Sequence, residues 1–291
     1  MQKFTVNIDS AGSRLDKFLA KNGCGFALAQ KLLRQKDVKV NSKKVGGDYR
    51  LEQGDEVQIF GNLQTNGQAP SKPKVNEEKI KLIKKSIIYQ DENLIAIDKP
   101  AGIAVQAGNV NDFSIDVALP YLKFDSEETP RLVHRLDRDT SGILLLARNR
   151  KTATLLTDGF KNKTIKKTYL ALVKGIPNKS EDTISMPLLE KSFGNIKKVF
   201  KDSLGKEAIT HYKILKTFGD YSLLELKPIT GRMHQLRVHC KEIGHQIIGD
   251  GKYGKKLEID KNRLCLHSLK IEIADFFGKE LVIESRKPDF I

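Results

Sequence analysis

Apolar residues recur at two spacings along this chain, and the switches between them mark its elements. Leu15, Phe18 and Leu19 follow at helical intervals, and Ser13 with Asp16 fits a loose capping box that opens a helix. A second helix is predicted over 27–34, with Leu28, Leu32 and Leu33 on its apolar side. Alternation then takes over, giving strands at 38–40 and 56–59 with turns at Gly46-Gly47-Asp48 and Gly54-Asp55. Residues 62–80 hold Gly67, Pro70, Pro73 and few large apolar groups, and read as a basic polar linker.

Beyond residue 80 the chain is rich in strand patterns. They are predicted over 87–90, 94–98, 143–147, 167–174, 211–217, 221–227, 269–274 and 281–285, with helices over 114–122, 151–161 and 237–243. Alternation through Tyr169-Leu-Ala-Leu-Val173 points to a sheet with two distinct faces. The expected architecture is α+β: a small unit at 1–61, the linker at 62–80, and a larger domain at 81–291.

Charge narrows the partner. The 291 residues carry a formal net charge of +15, from 51 Lys+Arg against 36 Asp+Glu. The first unit holds eleven basic and seven acidic side chains; Arg14, Lys17, Arg34 and Lys36 are among the basic ones. Such an excess suits an anionic partner. The longest apolar run, 143–147, falls far short of the ~20 residues a membrane span needs. Asp9, Arg14, Asp16 and Lys17 interrupt any signal-peptide core, so a cytoplasmic chain with no membrane association is expected. Cys24, Cys240 and Cys265 form no Cys-x-x-Cys pair, which argues against a disulfide framework or a Cys-rich zinc site.

Arginine is sparse but clustered. Five of the 12 arginines lie within 131–138 and 232–237. The guanidinium is a planar fork suited to carboxylates, phosphates and stacking on bases. The first cluster is Arg131-Leu-Val-His-Arg-Leu-Asp-Arg-Asp-Thr-Ser-Gly142, set directly before an apolar strand. Asp137 lies among Arg131, Arg135 and Arg138, a setting that favours an ionised carboxylate able to act as nucleophile, base or metal ligand. The competing reading is an Asp that caps a turn through Thr140 or Ser141. The second cluster is Thr230-Gly-Arg-Met-His-Gln-Leu-Arg-Val-His239. Its histidines are five apart, off a shared helix face, which disfavours a zinc pair. Tyr169, after Lys166-Lys167-Thr168, is equally suited to stacking on a base or to facing the core.

Together these segments resemble the RluA-type pseudouridine synthases. The resemblance rests on Asp98-Lys-Pro-Ala-Gly-Ile, His134-Arg-Leu-Asp-Arg-Asp-Thr-Ser-Gly142, Lys167-Thr-Tyr-Leu-Ala-Leu-Val, Thr230 to His239, Gly249-Asp-Gly-Lys-Tyr-Gly254 and Leu266-His-Ser268, in the family's order. Residues 12–60 look like an S4 RNA-binding domain, marked by Arg14-Leu-Asp-Lys-Phe-Leu19, Val38-Lys-Val-Asn41 and Leu51-Glu-Gln-Gly-Asp-Glu-Val57. The arrangement is similar to the RluC branch, which modifies large-subunit ribosomal RNA. The resemblance implies a mixed, mostly antiparallel sheet with flanking helices, behind a small S4 domain. It implies conversion of uridine to pseudouridine with no cofactor and no metal, by a monomer acting on large-subunit ribosomal RNA or its precursor. Asp137 then corresponds to the nucleophile, attacking C1′ or C6. Arg135 corresponds to the arginine that fills the space of the flipped base, Tyr169 to the tyrosine that stacks on the uracil, and Arg237 to the arginine paired with the nucleophile. Arg14, Lys17, Arg34 and Lys36 are the RNA contacts expected in the S4 region. Two departures from the S4 pattern stand out: Ala27-Leu28 where a Ser often opens the second helix, and Lys36-Asp37 where a Gly-containing turn is common.

Overall fold

A computed structural model describes residues 1–60, 76–107, 113–194, 196–255 and 263–291. The described residues form two compact units, one of 1–60 with 123–129 and the other of the remainder.

The first unit is built from β1 (Gln2–Thr5), α1 (Leu15–Leu19), α2 (Gly25–Arg34), β2 (Val38–Val40) and β3 (Glu56–Ile59). Its strands form an antiparallel sheet in the order β1-β3-β2. Leu15, Phe18, Leu19, Leu32, Val38, Val57 and Ile59 make its core. The expected Ser13 cap is absent: α1 starts after Arg14 with no side-chain cap. Instead the Asp16 carboxylate accepts from the Lys17 backbone N–H at 2.7 Å and from Arg14. Helix α2 closes with the Asp37 N–H bonded to the Leu32 carbonyl and the Lys36 N–H to that of Leu33. That pattern places Lys36 at the left-handed position after the helix, with φ 60°. The Gly-like turn noted in the sequence is therefore present, but held by a lysine.

The second unit contains α3 (Glu77–Lys85), β4 (Ile87–Gln90), β5 (Leu94–Lys99), α4 (Ile115–Ala118), β6 (Arg131–Leu132), β7 (Ser141–Ala147) and α5 (Arg150–Lys161), then β8 (Ile165–Lys174), β9 (Glu181–Ser185), β10 (Leu188–Phe193), β11 (Ile196–Lys201), β12 (Ile209–Phe218) and β13 (Tyr221–Pro228), and finally α6 (Gln235–Glu242), β14 (Leu266–Ile273) and β15 (Leu281–Glu284). The main sheet runs β4-β5-β7-β14-β8-β13-β12-β9, with β15 beside β14 and β6 beside β7. Among its described pairings only β7 with β14 is parallel. The fold is thus the mixed, mostly antiparallel α+β architecture.

Strand β7 reads as a continuous apolar run because it is buried on both faces. Leu144 and Leu146 pack into one core layer, and Ile143, Leu145 and Ala147 into the other. Helices cover both sides: Leu156 of α5 on one, Leu236 and Cys240 of α6 on the other. All three cysteines are buried and free. Part of the stretch read as linker, 77–80, opens α3, where Asn76 caps the helix by accepting from the Lys79 N–H at 2.9 Å. The expected linker residues 62–75 lie outside the described residues. Helix 114–122 is shorter than expected and ends in a tighter turn over Leu119–Leu122, since Pro120 offers no N–H.

The sheet forks where the site lies. Strand β14 pairs with β7 only through His267 and Ser268, after which β15 takes the place beside it. Such a close parallel approach requires Gly142. Its φ is 102°, and a Cβ there would collide with the Ser268 backbone. Gly142→Ala is expected to lower the melting temperature by at least ~5 °C, read by thermal unfolding.

Candidate active site

Asp137 sits in the turn that leads into β7 at this fork. The turn is closed by the Thr140 N–H to the Asp137 carbonyl at 3.2 Å, a backbone bond that leaves the carboxylate free for other work. Lys99 fixes the turn from the end of β5. Its side chain is fully buried, and Nζ donates to the carbonyls of Pro100, Ile103 and Arg138 at 2.9, 2.9 and 3.0 Å. Three donors meet three acceptors, so two loops are held by one ammonium. Burial pulls the Lys99 pKa down to about 7, against the pull of Asp139 and Asp137.

The cation paired with Asp137 comes from far along the chain. Arg237, in the first turn of α6, places Nη1 3.3 Å from Asp137 Oδ2. The sequence setting suggested Arg131, Arg135 and Arg138 as neighbours; the ion pair found is to Arg237. The rest of the Arg237 fork is held by Asp250, with Nε at 2.9 Å from Oδ2 and Nη2 at 2.7 Å from Oδ1. Burial opposes the guanidinium charge, but Asp250 and Asp137 outweigh it and raise its pKa. Burial likewise works against Asp250, and Arg237 with the Lys252 and Tyr253 N–H groups holds its carboxyl below the usual range. The Asp250 loop can approach because Gly249, at φ 75°, has no Cβ to strike the Arg263 carbonyl.

His234 completes this side. Its backbone is left-handed at φ 52°, and Nε2 lies 3.8 Å from Asp137 Oδ1. Its Nδ1 is 2.6 Å from the Tyr253 hydroxyl, which also accepts from the Val199 N–H at 3.0 Å. Burial lowers the His234 pKa, so the ring favours its neutral form.

Across from these groups lies a cavity of about 530 Å³, lined by Arg135, Asp137, Tyr169 and Arg237 together with Leu236 and Leu266. Tyr169 packs into the core layer and also lines the cavity. Burial pushes its hydroxyl up to about 12, so it stays protonated at neutral pH. Arg135 is exposed at the cavity. The four residues predicted for the catalytic centre are thus brought together. Arg14, Lys17, Arg34 and Lys36 belong to the other unit, where the Arg14 guanidinium is bound to Asp16 at 2.8 Å while Lys17, Arg34 and Lys36 are exposed.

Sequence reasoning missed Asp250, Lys99, His234 and Tyr253. All four lie inside motifs that carry the resemblance, Asp250 and Tyr253 in Gly249-Asp-Gly-Lys-Tyr-Gly254, with no role assigned. A carboxylate between two glycines was the available signal. Chemically, the arrangement presents a carboxylate oriented by a doubly anchored guanidinium, beside a protonated tyrosine, at the mouth of a nucleoside-sized cavity. Among the described residues no cluster of His, Cys, Asp and Glu suits a metal ion. No described helix is long and apolar enough to cross a membrane.

The chain belongs to the RNA pseudouridylate synthase family, whose model matches residues 93–242, and an S4 domain model matches residues 13–57. It is an RNA pseudouridine synthase, an isomerase. In sequence it is similar to the ribosomal large subunit pseudouridine synthase C of Rickettsia bellii, 42% identical over 98% of each chain. The enzyme of the same name from Vibrio cholerae is 34% identical over 94% of this chain and 88% of that one. Among solved structures, the human RNA pseudouridylate synthase domain containing 4 superposes with a TM-score of 0.63, at 27% identity, covering 73% of this chain and 92% of that one. The human domain containing 1 gives 0.59, at 30% identity, covering 70% and 83%.

Proposed function

We propose that this enzyme isomerises specific uridines in large-subunit ribosomal RNA, with Asp137 as the nucleophile. One observation carries the assignment of Asp137: its carboxylate is gripped by Arg237 at 3.3 Å in the cavity that Tyr169 and Arg135 also line. The relatives' names carry the choice of RNA.

The target base leaves its stack, at a cost of a few kcal/mol, and enters the cavity. Arg135, the exposed fork beside it, takes the vacated place between neighbouring bases. The Asp137 carboxylate attacks C1′ or C6, the N1–C1′ bond breaks, the base turns and C5 bonds to C1′, and the bond to Asp137 breaks to return the free carboxylate. The C5 proton then leaves and N1 gains one, so atoms balance without a cofactor. Tyr169 offers its ring as a stacking surface, and its protonated hydroxyl can carry a proton only by giving one up first. Arg237 fixes the Asp137 carboxylate in rotation. In this scheme residues 1–61 bind RNA and the domain that begins with α3 catalyses, in a cytoplasmic monomer.

Exposed Lys17, Arg34 and Lys36 grip phosphates without reading sequence. Changing all three to Gln is expected to weaken RNA binding and reduce the slope of log Kobs against log salt by about 2, with single-turnover rate at saturating RNA unchanged. An unaltered slope would remove these side chains from the RNA footprint.

Tritium release from 5-tritiated transcripts tests the function. Large-subunit ribosomal RNA should release label and small-subunit RNA should not. Release only from the small-subunit transcript, or from neither, contradicts the proposal.

A further inference from the structure

Lys167 lies two residues before Tyr169 on β8, on the same face of the strand, and both line the cavity that holds Asp137. The buried cations already described are fully engaged: Lys99 by three carbonyls and Arg237 by two carboxylates. Lys167 differs. Its side chain is half-buried, yet among the described residues its ammonium has no hydrogen bond and no ion pair. Burial lowers its pKa, and no carboxylate pulls the other way.

Apart from Asp137, the titratable groups that line this cavity are cationic or neutral. Gly231 leaves the Lys167 ammonium open, since even a Cβ added there would lie 3.8 Å from Nζ. Burial holds His134 neutral, with a pKa near 3, while its Nε2 accepts from the Leu145 N–H at 2.8 Å. Lys161, Lys163 and Arg232 line the same cavity. A partly desolvated ammonium with no protein acceptor favours a ligand that supplies acceptors. A uracil carbonyl would fill one donor but leave the charge uncompensated. A backbone phosphate supplies both the acceptors and the charge, and every nucleotide brings one.

Resting on the functional reading above, we propose that Lys167 binds a backbone phosphate next to the target uridine. It acts as a positioning residue that anchors the flipped nucleotide while its base meets Tyr169 and Asp137.

The test uses the full-length enzyme and a large-subunit ribosomal RNA fragment containing a uridine that it converts. Two further fragments carry a neutral methylphosphonate in place of the phosphate on one or the other side of that uridine. Lys167→Met should raise KM on the all-phosphate RNA about tenfold or more, with single-turnover kcat within about twofold. The salt slope of binding should fall by about 0.7. One of the methylphosphonate fragments should impose the same loss on the wild type and no further loss on Lys167→Met. Lys167→Arg should restore most of the affinity, which also separates loss of the contact from loss of fold. Independent, multiplying losses, or a fall in kcat at constant KM, would overturn the phosphate contact and place the ammonium on the base instead. A wild-type enzyme that converts no uridine in any ribosomal fragment would sink the functional reading. Conversion with multiplying losses would sink only the role of Lys167.

Discussion

Asp137→Asn should abolish isomerisation, lowering the single-turnover rate by about 10⁴-fold or more, while RNA affinity stays within a few-fold. The substitution keeps the shape of the side chain and removes its charge and nucleophilicity. It should also spare the fold. Asp137 is only one of two partners of Arg237, and Asp250 alone makes two of that guanidinium's contacts. The turn that carries it is fixed by Thr140 and by Lys99 through backbone carbonyls, neither of which involves the carboxylate. Thermal unfolding within a degree or two of wild type, with intact RNA binding, would identify the lost rate as chemistry. Retained turnover would move the nucleophile elsewhere.

Arg237→Met is expected to fail twice. It frees Asp137 from its orienting cation, and turnover should fall by at least ~10²-fold, as when a single electrostatic contact to a reacting group is removed. It also leaves Asp250 charged, buried and without its guanidinium, with a side chain only 1% exposed. Breaking such a pair costs about 3–5 kcal/mol of stability. The double variant Arg237→Met with Asp250→Asn separates the two effects, because the amide keeps an acceptor for the Lys252 and Tyr253 N–H groups while shedding the charge. Much of the lost stability should return and none of the lost activity.

The pH dependence of unfolding gives an independent reading of the same pair. In the wild type the Asp250 pKa is held down, so its contribution is present above the unfolded value of about 3.9 and is lost as pH falls further. In Arg237→Met the carboxyl pKa should rise, and this contribution should reverse sign, with stability falling as pH rises above about 4. An Arg237→Met protein with wild-type stability and acid profile would show that the pair does not anchor the site.

How much of this was visible in the sequence differed from element to element. Strand β7 was plain, because burial on both faces writes an unbroken apolar run. Helix α3 was hidden, since only Ile80 and Ile83 of its nine residues are buried and its lysines read as tether. The β10–β11 hairpin was missed for the same reason: most of its described side chains are exposed, so no alternation marks it. Motifs point to Asp137, Arg135, Tyr169 and Arg237, and the arginine clustering marks two stretches that meet at one cavity. Only the resemblance pairs Arg237 with Asp137, 100 residues away, and nothing in the sequence marks Asp250 as the second carboxylate on that guanidinium. Lys99 was missed because a lysine at the end of an apolar strand ordinarily marks the return to solvent. Here it turns inward, and only three converging carbonyls show why.

The most direct test is a map of pseudouridines in cellular ribosomal RNA, read as carbodiimide-dependent reverse-transcription stops. Cells carrying the wild-type gene are compared with cells in which it encodes Asp137→Asn. Specific stops in large-subunit RNA should disappear in the mutant while small-subunit stops stay unchanged. An identical map in both strains would contradict the role of Asp137.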